Sequence, residues 1–278
     1  MSKVWFITGA GSGIGSAAAK AALQAGNRVV ATGRNLDKVR NAFRDFEGNN
    51  LTYCQLDVSD EEQAKAAVAE AVKQFGRIDV LLNNAGYSLL GNFEEMATAD
   101  IEQQFNTNFY GVMYLMRAVM PAMRKQCSGH VINISSVAGV IGLKHCGAYG
   151  SAKFAVEGLS LSVAQEVEPF GIKVTVVAPG FFRTDLLDRR NAKYSKNTIE
   201  DYAGEASAES TYSAYDGQQQ GDPGKLGEVL VKLSDMDNPP KQFLAGSDAL
   251  AVVTPVLETR LQELHAYEEL TKSTDGTF

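Results

Sequence analysis

Short apolar, β-branched runs alternate with longer helical patterns along most of the chain. The runs at 3–8, 28–32, 51–56, 80–83, 131–135, 173–177 and 242–245 predict strands, and the stretches at 15–25, 61–75, 99–120 and 148–168 predict helices. Runs such as Val4-Trp5-Phe6-Ile7 are apolar without alternation, the pattern of a strand covered on both faces. Gly26 follows the first helical stretch, where a left-handed cap favours glycine. Strand and helix repeated in this way imply right-handed crossovers. The expectation is an α/β fold: a doubly wound parallel sheet of about seven strands with helices on both faces.

One segment breaks the pattern. Residues 191–222 contain no Leu, Val, Phe or Trp, one aliphatic Ile199, and four tyrosines (Tyr194, Tyr202, Tyr212 and Tyr215). So little aliphatic surface predicts an insertion over the surface with little core, either a lid or a mobile loop. Beyond it, 224–234 and 252–270 read as helices and 271–278 as a polar tail. We expect one domain over residues 1–278 with a lid or insertion at 191–222.

Composition narrows the function. Apolar residues make up 45% and charged residues 21% of 278, which suits a folded domain with a substantial core. No apolar run approaches the roughly 18–20 residues of a membrane span. The first residues lead directly into a strand pattern, so no secretory leader is expected. Cys54, Cys127 and Cys146 are widely spaced and odd in number, which predicts reduced thiols in a cytoplasmic protein. A net charge of −7 argues against nucleic acid as a partner while leaving room for a local cationic pocket.

The first strand runs into Thr8-Gly9-Ala10-Gly11-Ser12-Gly13-Ile14-Gly15 and then an alanine-rich helix. Glycines let the backbone approach an anion, and the following helix N-terminus offers free N–H groups and partial positive charge. The spacing is not G-x-G-x-x-G; it reads Thr-Gly, three residues, Gly-Ile-Gly. No Lys-Ser/Thr follows, which excludes an ATP-type phosphate loop. The second strand ends in Thr32-Gly33-Arg34-Asn35, without the carboxylate that binds an adenosine ribose in NAD-selective folds. Arg34 can fork onto a 2′-phosphate, so the dinucleotide expected is NADP(H), with NAD(H) the weaker alternative.

Ser135 and Ser136 end the fifth strand, at the sheet edge where open α/β folds bind ligands. Tyr149-Gly150-Ser151-Ala152-Lys153 opens a helix, and a spacing of four stacks Tyr149 and Lys153 on one face. A free phenol has a pKa near 10, and a nearby ammonium favours its ionised form. Such a tyrosine can give a proton to a carbonyl or take one from an alcohol.

A lone Tyr-x-x-x-Lys means little, but here it follows the glycine turn, Asn83-Asn84-Ala85-Gly86, Asn108 and Ser136 in that order. Together these residues resemble the short-chain dehydrogenase/reductase superfamily, in its single-domain Rossmann-type branch, continuously from about Lys3 to Asp185. The resemblance implies Tyr149 as acid/base, with Lys153 lowering its pKa and holding the nicotinamide ribose. It implies that Ser136 positions the substrate oxygen and that Asn108 supports a proton-relay water. Asn84, Ala85 and Gly86 would line the cofactor, and Asp57 with Val58 would meet the adenine. Pro179, Gly180 and Thr184 would close over the nicotinamide. The activity implied is interconversion of a carbonyl compound and its alcohol by hydride transfer, in a homodimer or homotetramer built on the helices at 99–120 and 148–168.

The expected substrate walls, at 137–143, 87–90 and 181–183, are mostly apolar, with His145 and Phe181 at the mouth and Arg183 available for one anionic group. This favours a hydrophobic ketone, aldehyde or secondary alcohol. The histidines His130, His145 and His265 lack metal-ligand spacing, so no metal is expected; His130 reads as edge structure. Two other readings compete. A regulator sensing NADP(H) without turnover would typically lack the Tyr/Lys pair, and an epimerase or dehydratase would carry a different glycine spacing and a larger C-terminal domain.

Overall fold

The computed structural model describes residues 2–46, 48–188 and 192–276. Its strands are β1 (Val4–Ile7), β2 (Arg28–Gly33), β3 (Leu51–Gln55), β4 (Val80–Asn83), β5 (Leu89–Leu90), β6 (Gly129–Ile134), β7 (Ile172–Pro179), β8 (Lys193–Tyr194) and β9 (Gln242–Ala245). Seven of them form one sheet in the order β3-β2-β1-β4-β6-β7-β9, all neighbours parallel. The order reverses between β1 and β4, which opens a crevice at their carboxyl ends. This is the doubly wound Rossmann-type α/β sheet expected.

The helices are α1 (Gly13–Gln24), α2 (Leu36–Ala42), α3 (Glu61–Phe75), α4 (Thr98–Phe105), α5 (Gly111–Gln126), α6 (Gly147–Val167), α7 (Ala208–Ser213), α8 (Pro223–Asp235), α9 (Ser247–Ala266) and α10 (Glu268–Lys272). Successive side chains of β1 point to opposite faces of the sheet, and so split between two cores. Phe6 joins Leu81 and Val131 beneath Val68, Leu115 and Val156 of α3, α5 and α6. Trp5 and Ile7 join Leu82 and Ile132 beneath Ala18 of α1 and Leu226 and Leu230 of α8. Gly227 lets α8 lie on α1, since a Cβ there would stand 2.7 Å from the Ala17 carbonyl oxygen.

Several boundaries differ from the pattern reading. The helix expected at 99–120 is α4, a wider π-helical turn at Asn106–Tyr110, and α5. Helix α5 continues through Pro121 because Val119 and Met123 are fully buried on its core face, and packing outweighs one missing hydrogen bond. Helix α9 starts before 252 because Ala249 and Val253 anchor it against Val137 and Ile141. Helix α2 was not anticipated; Asn35 caps it, its Oδ1 accepting from Lys38 N at 2.9 Å. His130 is not edge structure: it is buried in β6, between β4 and β7.

The segment from 192 to 222 is more structured than its composition suggests. Residue 191, where the insertion was expected to begin, lies outside the described residues. Strand β8 pairs in parallel with β5, and Ala192, Ala208 and Tyr212 are buried. Tyrosine and alanine supply the packing that absent aliphatics could not, since Ala208 and Tyr212 share a cluster with Leu90, Cys146 and Tyr149. Among the described residues, no helix is long and apolar enough to cross a membrane.

Candidate active site

A cavity of about 810 Å³ lies at the carboxyl ends of the strands. One half is made by the glycine turn. Gly9 and Gly13 have φ of +65° and +55°, which β-carbon-bearing residues rarely adopt. A Cβ on Gly15 would stand 2.4 Å from Asn84 Nδ2, so the turn closes tightly on the end of β4. The Thr8 hydroxyl accepts from the Asn84 and Ala85 amides at 2.9 and 3.0 Å, and Asn84 Nδ2 donates to the Thr8 carbonyl at 3.0 Å.

These contacts assign parts to the expected cofactor residues. Gly9, Ser12, Gly13, Ile14, Arg34, Asp57, Val58, Asn84, Ala85, Gly86, Pro179, Gly180 and Thr184 all line the cavity. Thr8, Gly11 and Gly15 do not. Thr8 and Gly15 hold the turn in shape, and Gly11 faces Lys38 Cγ and Val39. Sequence reasoning missed Lys38 and Ser59. Lys38 lines the cavity from the first turn of α2, with its Nζ 3.9 Å from Asp185.

The site suits a phosphate-bearing dinucleotide. Asn35, Asp60 and Asp222 cap α2, α3 and α8 with their side chains, whereas Ser12 makes no such bond at α1, whose first turn holds no carboxylate. The N–H groups opening α1 thus keep their capacity for an anion, between Arg34 and Lys38 on one side and Thr184 on the other.

The other half holds Ser136, Tyr149 and Lys153. Helix α6 opens at the cavity and brings Tyr149 near Ser136, whose Oγ accepts from the Ala138 amide at 3.2 Å. Lys153 is buried, with Nζ donating to the Ile134 carbonyl at 2.8 Å and lying 5.8 Å from the Tyr149 ring centre. Burial pushes the phenol up to about 12, with the nearby Ser136 hydroxyl pulling the other way. A lowered phenol is therefore not what the protein alone displays: burial holds it above its ordinary value. Burial also pushes Lys153 down to about 8, opposed by the Glu157 carboxylate one turn further on. Glu157 was not anticipated; it accepts from Gln242 Nε2 at 3.0 Å and is itself held up by burial.

Asn108 is fully buried in the π-helical turn. Its side chain grips the Tyr87 backbone, donating to the carbonyl at 2.8 Å and accepting from the amide at 3.2 Å. Asn83 donates to Asn133 and Asn133 to Ser160 in a buried ladder linking β4, β6 and α6.

The substrate-side wall departs from expectation in two places. His145 does not line the cavity; it has φ +64° and its Nδ1 lies 3.0 Å from Asn92 Oδ1. Its neighbour Cys146 lines it instead, since two adjacent residues point apart. Arg183 also turns away and donates to the Gln219 carbonyl at 3.2 Å. The cation at this end is Lys193, 4.8 Å from the Tyr87 ring centre. Phe181 is in the wall, stacked on Tyr215 at 4.7 Å. Leu90, Leu143, Leu187 and Tyr212 complete an apolar surface. The Tyr212 hydroxyl donates to the Lys144 carbonyl at 2.8 Å, which ties the 192–222 segment over the cavity.

Comparison with known proteins agrees with this geometry. The family model described as short chain dehydrogenase matches residues 3–195. "Oxidoreductase BOA17" of Botryotinia fuckeliana is 39% identical over 90% of this chain and 91% of its own. A "3-ketodihydrosphingosine reductase" of Bacteroides thetaiotaomicron is 37% identical over 88% of each. Among solved structures, a short-chain dehydrogenase from Streptomyces avermitilis superposes with a TM-score of 0.89 at 35% identity, covering 99% of this chain and 100% of that one. One titled "ElxO with NADP Bound" gives 0.73 at 34% identity, over 88% and 97%. The matched segment spans the glycine turn, Ser136, Tyr149 and Lys153, and the chain belongs to the short-chain dehydrogenase family of oxidoreductases.

Proposed function

We propose that this protein is an NADP(H)-dependent carbonyl reductase acting on small apolar ketones or aldehydes, with the reverse alcohol oxidation also open to it. The observation that carries the reading is the cluster of Ser136, Tyr149 and Lys153 in the same cavity as Arg34, Lys38 and the open N-terminus of α1. The glycine turn and the α1 amides would hold the pyrophosphate, Arg34 and Lys38 the 2′-phosphate, Asp57 and Val58 the adenine, and Lys153 the nicotinamide ribose. When bound, the nicotinamide supplies the hydride. An NADP-bound relative at 34% identity supports the cofactor choice.

The chain's own residues do the rest. Ser136 and Tyr149 donate hydrogen bonds to the substrate oxygen and stabilise the charge that develops there. Tyr149 gives up its proton, and the Lys153 ammonium stabilises the phenolate left behind. Asn108 contributes by fixing the Tyr87 backbone in the cavity wall. Leu90, Leu143, Phe181, Leu187 and Tyr212 exclude water and favour an apolar substrate, with 192–222 acting as the lid of one catalytic domain. Three free cysteines support a reducing, cytoplasmic setting, and exposed Tyr110, Phe154 and Phe170 on and beside α5 and α6 suit a homodimer or homotetramer.

The test is loss of NADPH absorbance at 340 nm over a panel of carbonyl compounds, repeated with NADH. Tyr149→Phe should bind NADPH normally, read by quenching or transfer fluorescence, and lose about 10²–10⁴-fold in turnover. Full activity in that variant would refute the assignment.

A further inference from the structure

From Thr254 to Gly276 every residue is exposed, so the outer part of α9 and all of α10 stand off the body of the protein. At 3.6 residues per turn, Leu250, Leu257, Leu261 and Leu264 fall within about 60° of one another. They form one stripe, continuing from buried Val253, and are 45–64% exposed. Tyr267 and Leu270 extend the apolar surface past the end of α9. Isolated helices below about 12–15 residues are marginal in water, and a helical arm with a leucine stripe gains its stability by covering that stripe.

We propose that α9 is a self-association surface, its leucine stripe covered by a second copy of this chain. Three observations choose that occupant. The six exposed side chains present on the order of 600 Å² of apolar surface, at the upper limit for a monomer's largest patch and most of the ~800 Å² that each partner gives a standard interface. The stripe is uniform in chemistry, so a two-fold axis sets it against itself, the self-complementarity an isologous contact requires. A membrane surface is disfavoured by charge: α9 and α10 carry five carboxylates (Asp248, Glu258, Glu263, Glu268 and Glu269) against Arg260 and Lys272. Helices that lie on membranes are instead rich in Lys and Arg.

The root of this arm touches the cofactor-side wall. Asp248 accepts from the Phe181 amide at 2.6 Å, and a Cβ on Gly180 would stand 2.4 Å from its carboxylate. The contact is separate from α5 and α6, so it stands whether or not the protein proves to be a reductase.

Sedimentation equilibrium of the full chain tests it. The double variant Leu257→Glu/Leu264→Glu should halve the wild-type mass while keeping the far-UV circular dichroism of the folded body, because both side chains are exposed in the single chain, and its melting temperature should lose the dependence on protein concentration that the wild type shows. Thr259→Glu/Gln262→Glu adds the same charge to the opposite face and should keep the wild-type mass. A monomeric wild type, an unchanged mass in the leucine variant, or a wild type that co-sediments with phosphatidylcholine vesicles instead of self-associating would each overturn the proposal.

Discussion

Burial of His130 should make this protein lose stability in acid. The imidazole is 4% exposed in the middle of the sheet, and Nε2 lies 2.9 Å from the Thr175 hydroxyl oxygen. That hydroxyl donates to the Pro240 carbonyl at 2.8 Å, so the ring must donate from Nε2, leaving Nδ1 buried without a partner. Burial, reinforced by Lys173 and Lys3, pushes the pKa down from 6.5 to about 3. Between those values the unfolded chain binds a proton that the folded chain refuses, so stability is complete above pH 6.5 and is lost as pH falls. The loss is about 1.4 kcal/mol per pH unit, or about 2 kcal/mol at pH 5. His130→Gln keeps a donor for Thr175 and removes the titration. Urea unfolding at pH 7.5 and pH 5 should show wild type losing about 2 kcal/mol more than the variant over that interval. Equal losses in the two proteins would refute the argument.

Two further predictions concern the cavity. Arg34→Ala should weaken NADP⁺ about ten- to a hundredfold in kcat/KM while changing NAD⁺ little, because a charge-assisted bond to phosphate contributes about 1.5–3 kcal/mol; steady-state kinetics with both cofactors reads it, and equal losses would deny Arg34 a 2′-phosphate. Glu157→Gln removes the charge that supports the Lys153 ammonium, so the lysine should lose its proton at lower pH and the alkaline limb of the pH–rate profile should move down. A lower rate with an unmoved limb would reduce Glu157 to a packing residue.

How much of this was legible from the chain depends on distance. Strands such as Val80–Asn83 and helix Glu61–Phe75 were readable to the residue, because covered faces and caps leave a local pattern. Tyr149 and Lys153 were readable because one helical turn relates them. Lys38 left a signal that was overlooked, since it follows Arg34 by four residues. Lys193 and Tyr212 left none of their own: only the β5–β8 pairing and the Tyr212 bond to Lys144 bring them to the cavity, and both link positions far apart in the chain. His145 misled because nearness to Tyr149 along the chain was taken for nearness in space. Its left-handed backbone turns it towards Asn92.

The electrostatics of the pair also bear on the direction of the proposed reaction. A phenol at about 12 and an ammonium at about 8 are both protonated at neutral pH. The protein alone therefore holds a proton ready to give, which is what a carbonyl needs as it is reduced. Alcohol oxidation needs the phenolate, and a group at about 12 is ionised in only about one molecule in 10⁵ at pH 7. Lys153 is the cation nearest to support that ion, yet burial already weakens its hold on its own proton, and Glu157 is what restores it. Raising the pH to favour phenolate would discharge Lys153 first, removing the charge the phenolate depends on. At neutral pH the protein alone thus holds Tyr149 and Lys153 in the protonated state from which the proposed carbonyl reduction would start.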